Sequence, residues 1–164
     1  MRTNWIILFV ALCACGISSA QHVKDPAYAL LLGGLLRDDV PFVDVNNMDP
    51  EAVILLDARE REEFDVSHIE GARWVGYDDF DLSRVKDIPN NSAIVVYCSV
   101  GYRSEKITVR MRTAGWTRVK NLYGGIFEWV NVGQEVVDEQ GATTRIHGYD
   151  TVWSRWLSKG EVIH

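Results

Sequence analysis

Two short apolar runs constrain this chain most. Val53-Ile-Leu-Leu56 and Ile94-Val-Val-Tyr97 are apolar at every position, where a strand with one wet face would alternate. Such runs suit strands buried on both sides, the pattern of a parallel sheet with helices packed above and below it. The first run stops at Asp57 and the second at Cys98. In parallel sheets ligands bind outside the carboxyl ends of the strands, so both residues fall on the edge where function is expected.

The rest of the chain supplies the alternation that such a sheet needs. Asp25-Pro26 is a helix start, with Asp as cap and Pro in the first turn, leading an Ala- and Leu-rich segment to Arg37 that Gly33-Gly34 interrupt. Phe42–Val45, Arg73–Val75 and Val119–Leu122 are further strand candidates. Glu60–Asp65 predicts one or two exposed helical turns, and Asp81–Val85 a brief helix. Ser104–Ala114 carries Ile107, Met111 and Ala114 at helical spacing before Gly115, and Ile126–Val132 predicts another short helix. Strands alternating with helices give an α/β fold built from βαβ units.

The N-terminus reads as a secretory signal peptide over residues 1–20. It has Arg2, then the apolar stretch from Trp5 to Leu12, then a small-residue exit with Ser18 and Ala20. Cleavage after Ala20 implies a secreted or periplasmic protein. The alternative is lipidation at Cys15, since Leu12-Cys-Ala-Cys15 loosely resembles a lipobox, and only then is a membrane a partner. Removing Arg2, the single charged residue of the leader, takes the formal charge from −6 to −7. An acidic chain without a basic block gives no electrostatic reason to expect nucleic acid. Cys13 and Cys15 leave with the leader, so Cys98 remains as a lone thiol that cannot form an intramolecular disulfide. An unpaired cysteine in an exported protein points to a reactive thiol or an intermolecular bond.

Cys98-Ser-Val-Gly-Tyr-Arg103 leaves a strand and enters a helix within six residues, so the loop must curl. Gly101 permits a left-handed backbone there. Inward-facing N–H groups and the positive helix end then form an anion nest, which together with Arg103 favours the thiolate over the thiol. The thiolate is the nucleophilic form. Thioredoxin-type redox exchange needs a second cysteine, which the mature chain lacks. Zinc needs several ligands, and His22, His68, His147 and His164 show no ligand spacing to Cys98, so no metal or other cofactor is expected. No local protease signature surrounds Cys98. Phosphoryl transfer and sulfur transfer both use a Cys-loop-Arg cradle at a helix N-terminus. Thiol phosphatases that resemble this pattern hold one residue more between Cys and Arg than the four found here. The smaller nest suits a terminal sulfane sulfur.

Four ordered blocks now carry a resemblance. Asp57-Ala-Arg59 with Glu63-Phe64, Ser67-His-Ile-Glu-Gly-Ala72, Cys98-Ser-Val-Gly-Tyr-Arg-Ser104 and Leu122-Tyr-Gly-Gly-Ile-Phe-Glu-Trp129 together resemble the single-domain rhodaneses, which are sulfurtransferases. The resemblance spans about residues 40–136. It implies a central five-stranded parallel sheet flanked by helices on both faces, and a persulfide on Cys98. The thiolate would take the outer sulfur of a small anionic donor such as thiosulfate or polysulfide and pass it to a thiol or cyanide. The amides of Ser99, Val100, Gly101, Tyr102 and Arg103 would hold the persulfide, and Arg103 would position the donor. Asp57 and Arg59 would support the loop or the donor site, or form a structural ion pair. A non-enzymatic sulfur carrier, or an interaction module on the same fold, is the alternative.

Ser67 stands where the family usually has Gly, a tolerable change in a turn. Arg103 is the only charge in the loop, so a dianionic donor gains less here than beside two cations, and a small persulfide fits as well as thiosulfate. His68 is expected as a hydrogen-bonded core histidine. The expected organisation is the signal peptide over 1–20, a helical lead-in over 21–39, the rhodanese domain over 40–136, and a C-terminal extension with a short helix over 137–164. Thr144–His164 is expected outside the core, with Trp153, Trp156 and Leu157 at helical spacing capping the domain or facing a partner. Oligomeric state is left open.

Overall fold

The computed structural model describes residues 22–164. The signal-peptide and Cys15 expectations lie outside the described residues. Five strands form one parallel sheet: β1 (Phe42–Val43), β2 (Ile54–Asp57), β3 (Arg73–Trp74), β4 (Ile94–Tyr97) and β5 (Val119–Leu122), in the order β1-β5-β4-β2-β3. The two apolar runs are its neighbouring inner strands, with Leu55 level with Val95 and Asp57 with Tyr97.

Why these runs are apolar throughout follows from the pleat, which sends successive side chains to opposite faces. Leu55, Val95 and Tyr97 pack into one apolar layer with Tyr28, Leu32, Ile126 and Phe127. These come from α1 (Pro26–Leu35) and α4 (Gly125–Asn131). Leu56, Ile94 and Val96 pack into the other layer, with Ile107 and Met111 of α3 (Tyr102–Thr113) and Val85 of a 3-10 turn over Leu82–Val85. Both faces are covered, and every residue of β4 is buried.

The connection after β2 leads outward to β3, whereas the one after β4 leads the other way to β5. Loops therefore diverge between β2 and β4, which opens the crevice characteristic of such sheets at their carboxyl ends. Asp57 ends β2 and Cys98 follows β4, so both lie at this crevice.

Local signals explain the flanking helices. The Asp25 carboxylate accepts hydrogen bonds from Ala27 N and Tyr28 N, with Pro26 in the first turn, and α1 runs on through Gly33-Gly34 to Leu35. Glu60 and Glu63 close a reciprocal capping box at the start of α2 (Arg61–Val66).

The C-terminal segment differs from its expected form. Its helical content is one 3-10 turn, Ser154–Trp156. The rest holds two short strand pairs joined by turns and irregular chain. β6 (Val136–Asp138) and β7 (Gly141–Thr143) pair antiparallel, while β8 (Arg145–His147) and β9 (Glu161–Ile163) pair parallel. Nor does it stay outside the core, since Ile146 is fully buried in the same layer as Leu55.

Candidate active site

Cys98 sits at the end of β4 with its side chain buried. Gly101 adopts the left-handed conformation (φ 108°) that turns the chain into α3, and its N–H donates to Cys98 Sγ at 3.1 Å. The carbonyl of Gly101 is tied down on the other side. Asn121 Nδ2 donates to it at 3.0 Å, and Ser104 Oγ, 3.2 Å from the same carbonyl oxygen, gives its single hydrogen to Asn121 Oδ1 at 2.7 Å. The peptide that presents its N–H to sulfur is thus fixed by two buried side chains from α3 and β5.

A second helix end holds the loop from behind. Ile126 N and Phe127 N, in the first turn of α4, donate to the carbonyls of Cys98 at 2.9 Å and Ser99 at 3.1 Å. Gly124 and Gly125 take positive φ, which lets the backbone of α4 approach this closely.

Arg103 is not free to face a ligand alone. Its Nη1 donates to Glu63 Oε2 at 2.6 Å and its Nη2 to Glu63 Oε1 at 2.7 Å, a bidentate pair. Ser99 Oγ completes the triangle, donating to Glu63 Oε1 at 2.8 Å and accepting from Arg103 Nη2 at 2.9 Å. Burial opposes charge on Glu63, but the Arg103 hydrogen bonds and charge outweigh it and hold the carboxyl below its ordinary range. Burial likewise works against the Arg103 charge, and the Glu63 carboxylate raises its affinity for the proton above the usual value. Charge matching inside the loop is therefore supplied by the protein itself.

This pairing carries a stability prediction. A carboxyl near its ordinary pKa of about 4.3 when unfolded and lower when folded stabilises fully above that value. The contribution disappears as pH falls through the folded pKa. Glu63→Gln is expected to lower stability at pH 7 by about 2 kcal/mol, since it leaves a mostly buried guanidinium without its anion. The gap between variant and parent should be smaller at about pH 3 than at pH 7, and it closes only once pH has fallen through the lowered pKa of the folded carboxyl. Urea titrations at the two pH values check this, and a pH-independent gap would contradict it.

Asp57 and Arg59 form a separate, fully buried ion pair at the end of β2, with Nη2 donating to Oδ2 at 2.6 Å. Arg59 Nη2 also donates to the Ser67 carbonyl at 2.7 Å, and Trp74 Nε1 donates to the Arg59 carbonyl at 2.9 Å. These contacts lock the β2 end to the turn before β3. Asp57 and Arg59 do not line the pocket over Cys98. His68 is half-buried, stacked on Phe64 with ring centroids 3.9 Å apart, and its Nδ1 is 3.1 Å from the Phe64 carbonyl oxygen.

That pocket has a volume of about 230 Å³. It is lined by Cys98, Ser99, Val100, Tyr102 and Arg103 from the loop and by Tyr149 and Trp153 from the C-terminal segment. Of the five loop residues named from the sequence, Ser99, Val100, Tyr102 and Arg103 line the pocket with Cys98, and Gly101 reaches it through its N–H to Sγ. Sequence reasoning quoted Glu63 without giving it a role, and read its segment as exposed. It missed Asn121, a polar residue within a strand whose neighbours Val119 and Leu122 are buried and apolar. It also placed no aromatic of the C-terminal segment at the site.

The family model for a rhodanese-like domain matches residues 44–132. A tRNA uridine(34) hydroxylase of Salmonella typhi is 32% identical over 148 residues, covering 85% of this chain. The chain spans about 40% of the length of such curated relatives. Among solved structures, thiosulfate sulfurtransferase from Pseudomonas aeruginosa superposes with a TM-score of 0.55 at 22% identity, covering 71% of this chain and 23% of that one. A Bacillus halodurans protein superposes with a TM-score of 0.53 at 22% identity, covering 70% and 86%. These structural likenesses speak to fold. The family match takes in β2 to β5, the Cys98 loop and α4 and covers more than half of the chain, which therefore belongs to the rhodanese-like domain family.

Proposed function

We propose that this chain is a rhodanese-type sulfurtransferase in which Cys98 carries a sulfane sulfur between a small donor and a thiol or cyanide acceptor. The observation that carries the reading is the Gly101 N–H held on Cys98 Sγ at the start of α3. A peptide donor so placed stays where the terminal sulfur of a persulfide would need it.

In the first half-reaction the Cys98 thiolate attacks the outer sulfur of the donor. A new S–S bond forms, the donor's own S–S bond breaks, and its electron pair leaves with sulfite or the equivalent leaving group. In the second, the acceptor anion attacks the terminal sulfur of the persulfide, and Cys98 is returned as thiolate. No external oxidant or reductant enters either step. The hydroxylation named for the curated relatives is not carried over, because the chain spans only part of them and its −6 charge offers no footprint for a polyanion.

Intact-mass measurement after exposure to a panel of sulfur donors tests the reading. One added sulfur, removed stoichiometrically by cyanide with thiocyanate released, is the expected result. A chain that gains no sulfur from any donor would refute it. Sulfur retained without turnover would identify a carrier instead.

A further inference from the structure

Part of the lining over Cys98 comes from outside the matched family region. Tyr149 and Trp153 belong to the segment after β8, beyond residue 132. Tyr149 is the one non-glycine residue with positive φ (65°) among the described residues. Its N–H donates to His147 Nδ1 at 3.0 Å, and its ring lies 4.9 Å from the Arg103 guanidinium carbon. A tyrosine in that conformation persists only where its surroundings over-determine it.

The turn bearing Trp153 is equally fixed. Asp150 Oδ1 accepts from Val152 N and Trp153 N, both at 2.8 Å. Trp156 stacks on Tyr28 of α1, with centroids 5.4 Å apart and planes 16° apart. Asn131, at the end of α4, donates to the Trp156 carbonyl at 2.8 Å and accepts from Ser158 N at 2.7 Å. α1 and α4 thus anchor the turn that carries Trp153.

The charge at this mouth is small. Arg103 is the only charged residue lining the pocket, and Glu63 already pairs with it bidentately. A dianion brought up to a cysteine thiolate here meets no unneutralised cation. The lining instead offers Val100, Tyr102, Tyr149 and Trp153, enough apolar surface to bury a substituent attached to the reacting sulfur.

We propose that the preferred donor is a monoanion bearing an apolar or aromatic group, of the organic persulfide or thiosulfonate class, and that Tyr149 and Trp153 select it. The proposal rests on the sulfur-transfer reading of Cys98 and names the substrate class of that same site. For a thiosulfonate, the Cys98 thiolate bonds to the outer sulfur, the bond from that sulfur to the sulfonyl sulfur breaks, and a sulfinate leaves with the electron pair. Two negative charges enter the step, and two leave as persulfide and sulfinate.

The test compares kcat/KM for benzenethiosulfonate, methanethiosulfonate and thiosulfate with cyanide as acceptor. The two thiosulfonates share their leaving-group chemistry and differ in the ring. The parent is expected to favour the phenyl donor over the methyl one by about tenfold or more, the scale set by apolar pocket contacts. Tyr149→Gly, which suits the left-handed backbone, and Trp153→Ala should each remove most of that preference. Both should lower kcat/KM for the phenyl donor by a clearly larger factor than for methanethiosulfonate or thiosulfate. Equal rates with the two thiosulfonates, or variants that slow all three donors by one factor, would overturn the proposal while sulfur loading of Cys98 stands. Absence of loading from every donor would remove the sulfur-transfer reading and this proposal with it.

Discussion

Cys98→Ala is expected to abolish sulfur loading and to cut thiocyanate formation by at least about a thousandfold, because the covalent intermediate has no other place to form. The chemical loss should far exceed any loss of fold. The side chain is buried, but the change removes a single heavy atom, which costs on the order of 1 kcal/mol. Cys98 is also the one free cysteine among the described residues, so no neighbouring thiol there can substitute. Urea midpoints and intact mass measured on the same preparations separate the two effects. A variant that retains the parent's turnover would remove Cys98 from the mechanism. Cys98→Ser sharpens the result. Its hydroxyl can still accept the Gly101 N–H, yet it is scarcely ionised at neutral pH, so loading should remain absent although the loop geometry is kept.

What could be read from the sequence was what local pattern determines. Val53–Leu56 and Ile94–Tyr97 announced themselves because a strand covered on both faces needs no polar position, and the structure makes them the adjacent inner strands β2 and β4. The Cys98 loop was legible for a similar reason. Its conformation is set by Gly101 and by the strand and helix on either side, all within a few residues. Glu63 was not legible in that way. A run of charges from Glu60 to Asp65 has the look of a solvated face, and only the fold brings Arg103, forty residues further on, into bidentate contact with it. Asn121 is a similar case, being polar only because Gly101 and Ser104 need a partner from across the sheet.

The C-terminal segment shows how spacing can mislead. Trp153, Trp156 and Leu157 have helical periodicity, yet Asp150 starts a single turn and Leu157 is already extended. Their spacing serves two different surfaces. Trp153 faces the pocket, whereas Trp156 meets Tyr28. Burial of Ile146 beside Leu55 could not be inferred either, since β8 gains its place through β9 and α2 and not through an alternating pattern of its own.

Gly125→Ala should be the most damaging change that leaves every side chain of the active loop in place. Gly125 has φ +59°, and an added Cβ would stand 2.3 Å from the Cys98 carbonyl oxygen and 2.6 Å from that of Ser99. Both are backbone atoms of the loop, so no flexible side chain can yield. Relief requires α4 and the loop to separate, which breaks the hydrogen bonds from Ile126 N and Phe127 N. Left-handed strain of about 1–2 kcal/mol, overpacking of about 1–3 and two weakened hydrogen bonds together suggest a loss of roughly 3–6 kcal/mol. Function should fall beyond what stability explains. Displacing the Cys98 and Ser99 carbonyls tilts the next peptides as well, and with them the Gly101 N–H that meets sulfur. Folded Gly125→Ala protein, selected at low temperature, should therefore load sulfur slowly from every donor. Gly33→Ala is the control, since that glycine lies within α1 with open space around it and without positive φ. It should stabilise by about 0.5–1 kcal/mol and leave loading unchanged. If Gly125→Ala matched the parent in urea midpoint and loading rate, the close seat of the loop on α4 would have no part in holding Cys98.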